Sequence, residues 1–167
     1  MSVQGVDIHT ENYNVLRSLG NKAVASDTAM VIDGFESAQL LTKQFPQPVN
    51  SPHGAIEVPG PLGTRSWQPL QARVDFTGAV TFREAKSGSV NETLKTMLNN
   101  RGIFSAWLYE GTGERYTSRR RIVDCFMIIE APDLGWEERG QMLMFTGAVI
   151  GRFFGAKEEG NFPILTA

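Results

Sequence analysis

A chain of 167 residues is one ordinary domain, long enough to bury a real core and short for a multidomain enzyme. Its 41% hydrophobic and 20% charged residues are globular proportions, giving no sign of disorder or of a membrane-embedded body, and its formal charge of -2 argues against an electrostatically driven nucleic-acid binder. The one cysteine, Cys125 in the run IVDCFMII, has no partner for an intrachain disulfide and reads as a small buried hydrophobe.

The opening MSVQGVDIHTENYNVL lacks the basic start and continuous apolar segment of a secretory leader. No window reaches the ~18 apolar residues of a membrane helix, so a chain made and kept in a cytoplasm is expected. Residues 1–27 read as an arm in which NYNVLRSLG forms a short helix closed by Gly20. TAMVIDGFESAQLLTKQF, from Thr28 to Phe45, predicts two strands around Gly34. Six of the eight prolines then fall between Pro46 and Pro69. Proline donates nothing to a ladder, so residues 46–69 are predicted to be mostly a projecting loop with a short strand at Ala55–Val58. Phe45, Ile56 and Trp67 are costly to leave in water, which makes them candidate contacts with a partner.

From Leu70 to Arg83, LQARVDFTGAVTFR alternates with period two. At about 3.3 Å per residue, a single strand here would be roughly 45 Å long and would cross the molecule or project from it. Leu70, Val74, Phe76, Val80 and Phe82 then point to the core, and Arg73, Asp75, Thr77, Thr81 and Arg83 to the opposite face. Ser89 to Glu92 has the S-x-x-E capping pattern, with Leu94, Met97 and Leu98 on one helical face and Gly102 as a stop, so a helix is predicted over about residues 90–100. Strands resume at residues 103–109 and 115–131. A loop at 132–140 leads into a last strand at 141–155, where Gly147 and Gly151 permit bending or close approach.

Little in the sequence carries chemistry. His9 and His53 have no His or Cys at ligand spacing, so no metal or cofactor is expected, and no nucleophile or phosphate-loop motif is present. GTGERY matches half of a dinucleotide fingerprint in what is more naturally a hairpin turn. Asp133, Glu137 and Glu138 could supply an acid and a base, but a solvated acidic loop is the commoner reason for such a cluster. Arg119 and Arg121 face opposite to Arg120 on a strand, so the run splits between two surfaces and suits ion pairing at an interface or a solvated strand end.

Over residues 28–155 the order of parts resembles that of the tail tube proteins of contractile-tailed bacteriophages and the related tube protein of type VI secretion. The matching parts are the strand pair MVIDGFESAQLLTKQF, a long Pro/Gly-rich loop, the strand RSWQPLQARVDFTGAVTF and the helix NETLKTMLNNRG. FSAWLYE, RRRIVDCFMIIEA and QMLMFTGAVIGRFFG complete them. The resemblance implies a mainly β, sandwich or barrel-like single domain with one flanking helix. It also implies homohexameric rings stacked into a hollow tube, with tail sheath, baseplate and tail terminator proteins as partners, DNA passing through the lumen and no membrane. Its place would be the virion tail, after assembly in the host cytoplasm. On this reading Arg73, Asp75, Thr77, Thr81 and Arg83 face the lumen, and Phe45, Ile56 and Trp67 reach the next ring. A tube-initiating baseplate protein is the near alternative. A small-ligand β-barrel lined by Phe76, Phe82, Trp107, Phe126 and Met144 is an alternative of another class, and an enzyme built on Arg73, Asp75 or the 133–138 loop is a third.

Overall fold

The computed structural model describes residues 4–18, 27–112, 115–135, 137 and 140–162. Helix α1 (Gln4–Ser18) precedes strands β1 (Thr28–Ile32), β2 (Thr42–Gln44), β3 (Ala55–Pro59), β4 (Arg65–Pro69) and β5 (Asp75–Arg83). Helix α2 (Ser89–Asn99) follows, then β6 (Phe104–Thr112), β7 (Arg115–Ile129), β8 (Met144–Arg152) and β9 (Lys157–Phe162). One antiparallel sheet runs β1-β6-β7-β8-β5-β2, with β9 also paired to β7, and β3 and β4 form a separate hairpin.

β7 is the spine of the sheet. Its first half pairs with β6 and β9, its second half pairs with β8, and the register shifts between Val123 and Phe126. Asp124 takes a left-handed conformation there (φ 50), the signature of a bulge that bends a strand and raises its twist. The curled sheet brings Met30, Ala106, Leu108 and Ile122 into one core with Phe76, Val80, Phe82 and Val149, and Val90 and Met97 of α2 complete it. The fold is therefore mainly β and barrel-like, with α2 on its flank. Two glycines of β8 allow the close packing. A Cβ at Gly147 would overlap the Ile128 carbonyl oxygen, and one at Gly151 would overlap Cys125 Sγ and press on the Phe76 ring.

The structure corrects several expectations. The long strand begins at Asp75, not Leu70. Backbone groups of residues 70–73 pair instead with the segment before β3, through Leu70 N to Gly54 O (2.8 Å), His53 N to Gln71 O (2.8 Å) and Arg73 N to Ser51 O (2.7 Å). This continuation of the hairpin leaves Leu70 and Val74 46% and 42% exposed. Most of the expected loop is that hairpin, since Pro59 and Pro69 occupy strand ends where a missing donor costs little. The N-terminal helix spans Gln4–Ser18, longer than the arm's short segment, and Gly20 lies outside the described residues. Around Gly34 only β1 is a full strand, because a 3₁₀ segment, Glu36–Leu41, intervenes before the three residues of β2.

The N-cap of α2 is Gly88, in left-handed conformation (φ 74), not the Ser89 box. The Glu84 carboxylate does the capping from the end of β5, leaving Ser89 to share a hydroxyl contact with Ser87 at 2.6 Å. No helix among the described residues is long and apolar enough to cross a membrane.

Candidate assembly surfaces

On β5 the alternation holds from Asp75 to Val80: Phe76 and Val80 are buried while Asp75, Thr77 and Ala79 are exposed. Arg83 is exposed at the strand's end, but Thr81, expected on the solvated side, is only 6% exposed. β2 pairs along this stretch, with Gln44 opposite Thr81 and a register shift after Thr42, so Thr81 lies within the paired interior of the sheet.

The rest of this face comes from the register, which sets Thr77 beside Ile150 and Ile150 beside Phe126, and Ala79 beside Ala148 and Ala148 beside Ile128. Phe126, Ile128 and Met144 remain 40%, 57% and 39% exposed, so the face is polar along β5 and apolar toward β7. At its lower end four charges alternate and cancel. Arg73 Nε and Nη2 lie 3.2 and 3.1 Å from Asp75 Oδ2, and Arg152 Nη1 lies 3.3 Å from Asp124 Oδ2. The hydrogen bond from Arg73 is the largest cause of an Asp75 pKa below the usual carboxylate value.

The hairpin stands in water along nearly its whole length. Glu57 lies opposite Trp67 and Ile56 opposite Gln68, and Arg65 Nε pairs with Glu57 Oε1 at 3.0 Å. Ile56 and Trp67 are 52% and 66% exposed, and Leu62 at the tip is fully exposed in a left-handed conformation (φ 57) that β- and γ-branched side chains rarely adopt. Phe45 differs from its two companions, being half-buried and packed against the core of its own chain. Pro48 is fully buried, and its carbonyl accepts Arg120 Nη1 at 2.9 Å, so the start of this segment belongs to the body.

The arginine run divides between two surfaces, and each arginine finds an acidic partner on the same chain. Arg120 turns inward to Glu110, with Nε 3.0 Å from Oε1. Arg119 and Arg121 lie over the Trp107 ring at 4.1 and 4.9 Å, and Arg119 also lies 4.6 Å from the Phe162 ring centroid. Glu158 accepts Arg119 Nε at 2.6 Å, and Asp33 grips Arg121 through both carboxylate oxygens, one at 2.9 Å from Nη1. Tyr109 first and Glu158 second push the Arg119 pKa up, and Asp33 does so for Arg121. The cluster ties β9 and the residue after β1 to the sheet. The sequence reading missed β9 because KEEGNF has no apolar alternation; its charges suit an exposed edge.

The residues proposed for chemistry do not converge. His53, Asp133 and Glu137 are exposed, Glu138 lies outside the described residues, and no group of three potential metal ligands occurs among the described residues. Burial pushes the Cys125 thiol up to about 12, which keeps it protonated and unreactive near neutrality. Phe76 and Phe82 lie in the core, whereas Trp107 lies beneath the arginines and Phe126 and Met144 are exposed, so the five residues line no common cavity. A small cavity of ≈ 100 Å³ lies between α2 and the 3₁₀ segment, lined by Ile32, Leu41, Phe82 and Met97.

Comparison with protein-family models gives no match, and comparison with curated proteins gives none either. Solved structures do match. A chain from the cryo-EM structure of the PVC sheath-tube complex, an extracellular contractile injection system in its extended state, aligns with a TM-score of 0.57 at 10% identity, over 84% of this chain and 94% of that one. A chain from the anti-feeding prophage cap, the AFP tube terminating cap, gives 0.56 at 11% identity over 84% and 93%. One from the 6-fold symmetrised AFP baseplate gives 0.54 at 9% identity over 84% and 97%. At such identities the shared property is the fold.

Proposed function

We propose that this chain is a structural subunit of a contractile-type tail tube, in which six copies close a ring and rings stack around a channel, with no catalytic turnover. The observation that carries this reading is the fold match to a chain of a contractile sheath-tube complex, covering 94% of that chain. The cap and 6-fold symmetrised baseplate matches support neighbours of the same kind, namely sheath, terminator and baseplate proteins. Closing a ring also accounts for the open edges of the sheet and for the apolar part of the β5-β8-β7 face, which ring partners would cover. In this reading Arg73, Asp75, Thr77 and Arg83 line the channel, and the mutual pairing of Arg73 and Asp75 lets a polyanion such as DNA slide past instead of gripping it. Ile56 and Trp67 on the hairpin reach the adjacent ring. The particle is a tail, assembled in the host cytoplasm and carried on the virion.

The test is the purified chain at increasing concentration, followed by size-exclusion chromatography and negative-stain microscopy, alone and with sheath or baseplate proteins. Six-membered rings and tubes are expected. A folded monomer under every condition overturns the reading, and rings that never stack reassign the chain to a tube end.

A further inference from the structure

The β3-β4 hairpin and its approach form one long two-stranded ribbon. Pairing runs from Arg73 N on Ser51 O, through His53 N on Gln71 O and Leu70 N on Gly54 O, to Pro59 opposite Arg65. At about 3.3 Å per residue, Ser51 to Pro59 alone spans ~25 Å. Such a ribbon, exposed along nearly its whole length, has no core of its own to aim it, so its direction is set at its root.

The root has two parts. On the outgoing side the chain enters β5 directly: Val74 O accepts Phe153 N at 2.7 Å, and Asp75 pairs with Arg152. One strand crossing leaves a hinge about which the ribbon could swing, and residues 46–50 supply the second hold. Pro46 packs on Gly78, where any Cβ would overlap its ring, and Pro48 is fully buried. The Pro48 carbonyl accepts Arg120 Nη1 at 2.9 Å, and Gln47 Nε2 donates to Glu110 Oε1 at 2.6 Å. Both bonds end on one ion pair. Arg120 Nη2 donates to Glu110 Oε2 at 3.4 Å, Ser118 Oγ donates to the same oxygen at 3.3 Å, and the two charged side chains are only 19% and 22% exposed. Arg120 Nε, 3.0 Å from Glu110 Oε1, adds charge attraction without an aligned hydrogen bond.

A largely buried ion pair contributes little net stability, because desolvation offsets the attraction, and its best-attested use is to select one geometry. An apolar pair of similar volume would pack between the strands but would offer nothing to Gln47 or to the Pro48 carbonyl. We propose that Glu110 and Arg120 lock the root of the hairpin and so fix the direction in which Ile56, Leu62 and Trp67 are presented. The lock is a property of the single chain; that the presented residues meet an adjacent ring rests on the reading above.

The test is the distance between spin labels at Leu62→Cys on the hairpin tip and Thr96→Cys on the exposed side of α2, measured by pulsed electron resonance in a Cys125→Ala chain diluted with unlabelled chain. One narrow distance peak is expected. With Arg120→Met and Glu110→Leu together, which remove both charges, the melting temperature should hold within a few degrees while the peak broadens at least twofold; Gln47→Ala, at an exposed position, should broaden it less. A native peak already as broad as the double variant's overturns the lock, and so does a peak left narrow and unmoved by all these changes. Microscopy of the same samples separates the two readings. Broadened peaks with unimpaired stacking of rings would keep the lock and sink the inter-ring role of the hairpin, whereas narrow peaks in every variant with normal stacking would do the reverse.

Discussion

The carboxylate of Glu84, the residue after β5, accepts the backbone amide of Val90 in the first turn of α2 at 2.9 Å. Its other oxygen accepts Asn91 N at the same distance, so one side chain satisfies two of the helix's orphan donors. Glu84→Ala should cost about 1–2 kcal/mol in urea unfolding, and Ser89→Ala under about 0.5 kcal/mol. Equal losses for the two variants would show that the cap is not where the geometry puts it.

Two neighbouring apolar residues should respond oppositely to the same charge. Phe76 is 9% exposed in the core, and Phe76→Asp should unfold the chain at a cost of several kcal/mol, whereas Val74 is 42% exposed before β5 begins and Val74→Asp should cost under about 1 kcal/mol. Circular dichroism melts of both variants decide it, and matching losses would return Val74 to the core.

The strand alternation around these residues shows what could be read from the sequence. Phe76 and Val80 were legible because period two persists wherever one face of a strand is buried. The break before Asp75 was not, since Leu70, Ala72 and Val74 keep the same period while the backbone of residues 70–73 pairs with residues 51–54. The exposure of Ile56 and Trp67 followed from the proline density around them, but Phe45 sits beside the same prolines and packs inward. Thr81 is buried where its chemistry suggests solvent, and the Glu84 cap acts across six residues, beyond any local capping pattern. Both depend on which strand or helix is brought alongside, which is tertiary information.

Gly151→Ala should destabilise by about 1–3 kcal/mol, because the new methyl group meets Cys125 Sγ and the Phe76 ring in a packed interior. Gly140→Ala has open space around the added carbon and should be near neutral. Thermal melts of the pair provide the measurement, and a neutral Gly151→Ala would mean that the face between β5, β7 and β8 is looser than described.

Cys125 should be inert in the folded chain. Iodoacetamide at pH 8 should label it only after denaturation, and prompt native-state labelling would contradict its burial. The folded state raises its pKa to about 12, above the ordinary ~8.5, so the folded chain holds this proton more tightly than the unfolded one. Its contribution is therefore fully present below about pH 8.5 and is lost as pH rises toward 12, at up to roughly 1.4 kcal/mol per pH unit. Relative to Cys125→Ala, the native chain should lose stability faster over that window; parallel pH profiles would refute the assignment.

The 15 residues of β7 are hydrogen-bonded into both halves of the sheet, on either side of the bulge at Asp124. Releasing either half strips β7 of partners that the other half needs to keep its bend, a constraint that leaves out only the separate β3-β4 hairpin and the edge strand β9. The body should then unfold as one cooperative unit. In hydrogen exchange, amides of Ile122, paired with Ala106 of β6, and of Ile128, paired with Ala148 of β8, should open together, at the rate of global unfolding and not of local breathing.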